Sequence, residues 1–219
     1  MAHHAGNGRN RDTVDAEYLA LCARIICEED VLDYRVAASK AAQRLGLHAK
    51  APDGLALRAA VIDYQRLFGG AAYAERLQGL RKAALQAMRL LAHYEPRLVG
   101  GAATGAITRA HRVQLHVFAD KAEELDIFLE NRQIAFTQGD RDYRYANGTT
   151  ETVPLARFEA GAIGVDLAIF APEDLRRPPL SPADGLPMKR LTLAQAETLA
   201  AEDTASILAG LDSNAISGR

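Results

Sequence analysis

The sequence predicts an α/β (α+β) protein in which an N-terminal helical region precedes a strand-bearing core. Three observations carry this. From Val14 to Leu91 the apolar residues recur every third or fourth position, the period of a helix with one buried face. Beyond Pro96 the period falls to two: Val113, Leu115 and Val117 alternate with Gln114, His116 and Phe118. The later apolar runs are then separated by turn dipeptides, Asn147-Gly148 and Ala160-Gly161. Helices first and strands second is the ordering of an α+β chain.

Each helix has its own signals. Val14, Tyr18, Leu21, Cys22 and Ile25 mark a helix over Thr13 to Glu29, with Asp12 or Thr13 as its cap. Val36, Ala37, Ala41 and Leu45 mark a second, which Gly46 stops. Pro52-Asp53-Gly54 reads as a turn. Leu57, Ala60, Val61, Tyr64, Leu67 and Phe68 give a third helix that ends at Gly69-Gly70. Leu77, Leu80, Ala84, Met88 and Leu91 share one face of a fourth, from Ala72 to His93.

The second half mixes strands with short helices. Arg97 to Val99 is a short apolar strand, followed by the small-residue run Gly100 to Gly105 and the strand at Val113. Asp120-Lys121-Ala122-Glu123 has the form of a capping box, with Asp120 as cap of a helix reaching Asn131. Ile134–Thr137, Tyr143–Tyr145, Val153–Glu159 and Ile163–Phe170 read as strands. A Pro-rich segment, Pro172 to Pro187, leads to a last helix over Thr192–Leu208. The division is a disordered tail (1–11), a helical region (12–96), a core (97–190) and a C-terminal helix with its tail (191–219).

Composition narrows the function classes. Of 219 residues, 48% are hydrophobic and 25% charged, enough to bury a core without disulfides or structural metal. A net charge of -2 argues against bulk electrostatic attraction to nucleic acid. Cys22 and Cys27 read as buried reduced thiols, which suits a reducing compartment. The start of the chain has no apolar signal region, and no apolar run approaches the ~18 residues of a membrane helix. The expectation is a cytoplasmic protein without a membrane partner. His3 and His4 belong to the polar tail.

Leu98-Val99-Gly100-Gly101-Ala102-Ala103-Thr104-Gly105 runs on to His111-Arg112-Val113-Gln114-Leu115-His116-Val117-Phe118, and Val165-Asp166-Leu167-Ala168-Ile169-Phe170 follows later. This layout resembles the nucleotidyltransferase superfamily of DNA polymerase β type. Those proteins have a short strand, Gly-Gly or Gly-Ser opening a helix, another Gly, a strand bearing Asp-x-Asp, and a third carboxylate on a later strand. The likeness spans roughly Val99 to Pro172. It extends to a poorly characterised bacterial subfamily through Val117-Phe118-Ala119-Asp120 and the segment Leu180 to Met188, which reads Leu-Ser-Pro-Ala-Asp-Gly-Leu-Pro-Met.

The resemblance implies a mixed-sheet core and an ancestral Mg²⁺-dependent transfer of a nucleotidyl group from a nucleoside triphosphate to an acceptor. Gly100, Gly101, Thr104 and Gly105 would bind ligand phosphate, because glycine at a helix N-terminus lets an anion approach the backbone. Asp166 would be the surviving catalytic carboxylate. The chain departs from the pattern at the acidic pair. Those positions align with Arg112 and Gln114, or with Gln114 and His116 in a register two residues on. At an effective dielectric of 20, Arg112 held 4 Å from a divalent ion would repel it by roughly 8 kcal/mol before relaxation.

Arg112, Gln114 and His116 share one strand face. They read either as holding an anion or a base, or as the solvated face of a sheet. An Arg112–Asp166 ion pair in place of the metal site is one expectation, and a His116–Asp166 hydrogen-bonded pair or non-magnesium metal site is another. His111 reads as a loop residue, and Arg141, Arg144, Arg176, Arg177, Lys189 and Arg190 as dispersed solvated cations. The favoured function is a degenerate member that binds a nucleotide or phosphorylated small molecule with little or no metal-dependent transfer. An active Mg²⁺-dependent transferase and a ligand-free protein-interaction module stay open beside it.

Overall fold

The computed structural model describes residues 6–210. The first three helices are α1 (Gly6–Glu28), α2 (Tyr34–Leu45) and α3 (Gly54–Tyr64). Cys22, Ile25, Ile26, Ala37, Ala41, Leu57 and Val61 form a small core between them. α1 starts earlier than its expected cap, since nothing between Gly6 and Asp12 forbids helical backbone angles. His3 and His4 lie outside the described residues. Asp33 caps α2 through the Arg35 N–H, and Gly46 ends it with a left-handed φ of 64°. Asp53, expected in a turn, caps α3 by accepting from the Ala56 N–H.

A π-helical turn, Gln65–Gly69, joins α3 to α4 (Gly70–Leu90). Leu77, Leu80, Ala84 and Met88 on α4 pack against the sheet rather than against α1–α3. Packing therefore divides the helical region: helical spacing shows that a face is apolar, not what covers it.

The sheet has five strands: β1 (Arg97–Val99), β2 (Val113–Phe118), β3 (Phe136–Arg144), β4 (Thr150–Ala160) and β5 (Ile163–Phe170), in the order β1-β2-β5-β4-β3. It is mixed. β2 and β5 are parallel and the other pairs antiparallel. The expected strands at 134–137 and 143–145 are one edge strand, β3. Its polar centre, Gln138 to Asp142, hid this from an apolar reading, yet an edge strand tolerates polar residues.

Between β1 and β2 lies α5 (Gly100–Thr104), and between β2 and β3 lies α6 (Ala122–Asn131). Among the described residues no side chain caps α6; Lys121 holds the cap position, so Asp120 stands one residue too early to serve. The single last helix expected over 192–208 is two, α7 (Leu193–Ala201) and α8 (Thr204–Ala209). Asp203 breaks the run because its carboxylate caps α8 through the Ser206 N–H.

Both faces of the sheet are covered. Val113, Leu115, Val117, Val165 and Leu167 meet α4, α6, α7 and α8 in the main core. Each such side chain contributes about 1.5–3 kcal/mol by leaving water. The opposite face carries Phe118, Tyr143, Tyr145, Leu155 and Phe170, against which Leu175 of the Pro-rich segment and Met188 just after it pack. Cys22 and Cys27 are buried free thiols, and burial pushes them up to about 11 and about 12. Among the described residues no helix is long and apolar enough to cross a membrane.

Candidate functional site

The parallel pairing of β2 and β5 puts Gln114 beside Asp166, and β4 puts Arg157 on the other side. Asp166 is almost fully buried, and a buried carboxylate needs partners. Arg112 supplies them. Its Nε donates to Asp166 Oδ1 at 2.7 Å, its Nη1 to Glu159 Oε1 at 2.8 Å and its Nη2 to the Phe158 carbonyl at 3.2 Å. Arg141 on β3 approaches the other carboxylate oxygen at 3.7 Å. Desolvation lowers the Arg112 guanidinium, but its hydrogen bonds to Glu159 and Asp166 and their charges together outweigh it and hold the group above its ordinary value.

The turn from β1 into α5 is tightly packed. Gly100 has φ +70°, a region that favours glycine, and the Gln114 side-chain amide fills the space where a Cβ would stand. Gly101 packs in the same way against His111 and the Ala106 carbonyl. The Thr104 hydroxyl turns back to the Gly100 carbonyl at 3.2 Å. His111 is a loop residue, as expected. Its Nδ1 accepts from the Thr108 N–H at 2.9 Å, and burial, with Arg76 nearby, pushes the imidazole down to about 4.

These residues line a cleft of about 320 Å³. It brings together Gly100, Gly101, Thr104, Arg112, Gln114 and Asp166. Two sequence-derived residues lie elsewhere. Gly105 ends α5 with φ +87° and lines a recess of only about 10 Å³, where Tyr73 donates to its carbonyl. His116 is 1% exposed; it neither faces solvent nor reaches Asp166. Its Nδ1 accepts from Arg190 Nε at 2.9 Å, and its ring lies between Tyr143 and Phe170. Burial first, then the Arg190 and Arg141 cations, hold this imidazole well below its ordinary value.

Other walls of the cleft come from distant sequence. Asp33, Tyr34 and Arg58 belong to the N-terminal helices. Ser181 to Asp184 come from the Pro-rich segment, as a loop closed by the Leu180–Pro187 bridge, and Met188 and Lys189 follow it. Arg58 and Asp184 form an ion pair that ties this strap to α3. Asp184 sits in the Leu180–Met188 motif, a signal for it; nothing in the sequence marked Asp33 or Arg58.

The side chains do not fit the Mg²⁺ that the resemblance implies. Arg112 occupies the Asp166 carboxylate and Arg58 the Asp184 carboxylate, and Gln114 offers only a neutral oxygen where a hard cation needs anionic ones. Among the described residues no group of three His, Cys, Asp or Glu is placed to hold a metal ion. Compared with protein-family models, curated proteins and solved structures, the chain matches none.

Proposed function

We propose that the protein binds a nucleotide or another phosphorylated small molecule in the cleft at Asp166 and performs little or no metal-dependent nucleotidyl transfer. The observation that carries this reading is the state of Asp166: its carboxylate is taken by Arg112, at one of the positions where the sequence resemblance expects an acid. The cleft falls within the size range of small-molecule sites and offers polar groups for orientation, Gln114 and the Gly100–Gly101 backbone among them. Two cations at its wall have charge to spare. Lys189 has no ion pair among the described residues, and Arg141 has only the 3.7 Å approach to Asp166.

Thermal melting with ATP, GTP, CTP and UTP, each with and without Mg²⁺ or Mn²⁺, tests it, since a ligand that binds only the folded chain raises its melting temperature. A rise that needs no metal supports the binder. A rise that appears only with metal would favour an active transferase, and no rise with any nucleotide would favour an interaction module.

A further inference from the structure

A second cleft, about 780 Å³, adjoins the one at Asp166. The two share Tyr34, Arg141 and the strap residues Ser181 to Asp184 as a common wall. Their electrostatics differ. The smaller cleft is lined by four cations (Arg58, Arg112, Arg141, Lys189) and three anions (Asp33, Asp166, Asp184). Arg58 and Arg112 are committed to Asp184 and Asp166, and Arg112 also serves Glu159 outside the cleft.

The larger cleft is lined by Arg35, Lys50, Arg141 and Arg144 against Asp142 and Asp184. Asp184 is already neutralised by Arg58, and Asp142 accepts the Thr152 hydroxyl at 2.6 Å. Among the described residues Lys50 and Arg144 have no ion pair, and Arg35 has only a long, exposed one at 3.6 Å.

We infer that the larger cleft takes the phosphate chain of a polyphosphorylated ligand on Lys50, Arg144, Arg35 and Arg141, while its less charged end occupies the smaller cleft beside Gln114 and Asp166. This rests on the binding reading above and adds an orientation to it. Phosphates avoid Asp33 and Asp166 by pointing outward past Arg141, the cation common to both clefts. The tightly filled Gly100–Gly101 turn, where the sequence resemblance puts phosphate, then faces the less charged end. Asp166 can accept, and Gln114 can donate or accept, a hydrogen bond from a hydroxyl or a base edge there.

Calorimetric titration of the full chain with two probes, inorganic triphosphate and ATP, in metal-free buffer tests this. Lys50 and Arg144 are exposed, so the Lys50→Ala/Arg144→Ala variant should fold. It is expected to weaken both probes about tenfold or more and to flatten the salt dependence of binding. Gln114→Leu is expected to weaken ATP and leave triphosphate unchanged. ATP and triphosphate binding alike would point to a polyphosphate ligand, and ATP binding more tightly to a nucleotide. Retained triphosphate affinity in the double variant, with loss in Lys189→Ala, would overturn the orientation and leave the binding reading standing. Binding of neither probe by the unaltered protein would remove both.

Discussion

Arg112 Nε lies 2.7 Å from Asp166 Oδ1, and the same guanidinium reaches Glu159 and the Phe158 carbonyl, so one side chain at the entry to β2 ties together β4 and β5. Asp166 keeps only 9% of its side-chain surface exposed. Removing its partner strands a buried charge. Arg112→Leu should therefore lower stability by about 2–4 kcal/mol, somewhat less than for a fully buried pair because Arg112 itself is one-third exposed. Urea unfolding measures it. Arg112→Leu/Asp166→Leu should recover part of the loss. A single variant within about 0.5 kcal/mol of the parent, the size of an ordinary surface substitution, would mean that the pair contributes little.

Gly164 on β5 explains how the guanidinium fits. A Cβ there would stand inside the Arg112 guanidinium, which three hydrogen bonds hold in place. Gly164→Ala should displace Arg112 and destabilise by about 1–3 kcal/mol, the range for over-packed sites. In an Arg112→Leu background the same change should have a much smaller effect, because residues in contact are not additive. Equal effects in both backgrounds would show that Arg112 moves aside freely.

These two contacts also show what the sequence could and could not disclose. Strand period alone placed Arg112 and Gln114 on one face, and the parallel β2–β5 register then brought that face to Asp166. Gly46, a glycine after a run of helical spacing, marked the end of α2. His116 was ambiguous for a physical reason: a sheet face is solvated or buried according to what lies over it. Here Leu175 of the Pro-rich segment, and Met188 and Arg190 just after it, cover it from a stretch with no period of its own. Asp33 and Arg58 were silent because their place in the cleft depends on how α2 and α3 dock, which no local spacing encodes.

His111 gives the fold a pH dependence with a definite sign. Its folded value of about 4 lies below the ordinary ~6.5, so the unfolded chain binds more protons between those values. Stability is then fully present above pH 6.5 and falls as pH drops toward 4, by roughly 3 kcal/mol for this group. The causes are burial first and the Arg76 cation second, and protonating Nδ1 would also end its bond from the Thr108 N–H. His116 acts in the same direction. NMR titration should find His111 neutral down to about pH 4. Urea midpoints for His111→Gln should depend less on pH across that interval; an unchanged dependence would remove His111 as its source.

Arg81 on α4 is the buried counterpart. It pairs with Glu202 between α7 and α8, and its Nε donates to the Ala102 carbonyl at 3.2 Å. Both side chains are nearly buried, so Arg81→Met should cost about 3–5 kcal/mol by leaving Glu202 uncompensated. Arg81→Met/Glu202→Met should recover much of that, since a buried pair is often no better than a packed apolar one. A double variant as unstable as the single one would point to the Ala102 hydrogen bond as the larger contribution.

The strap over the two clefts depends on Asp184, whose side chain is 2% exposed and bound to Arg58. The carboxylate also accepts from the Leu186 N–H at 3.1 Å, and Gly54 lies so close that a Cβ there would meet the Asp184 carbonyl at 2.5 Å. The strap's own hydrogen bonds, Ser181 N–H to Leu186 and Gly185 N–H to Ser181, close only a short loop. The ion pair fastens it to the helical region, beside Ala183 packed on the α1–α3 core and the close Gly54 contact. Asp184→Asn keeps the shape and the Leu186 contact but removes the charge. Hydrogen exchange at Ser181 and Gly185 should accelerate about tenfold or more, which corresponds to ~1.4 kcal/mol of local opening, while amides in β2 and β5 keep their protection. Arg58→Leu/Asp184→Leu should restore slow exchange if docking rather than charge is what the strap needs. Acceleration spread evenly over the sheet would mean that Asp184 stabilises the whole fold, and the strap would then have no opening of its own.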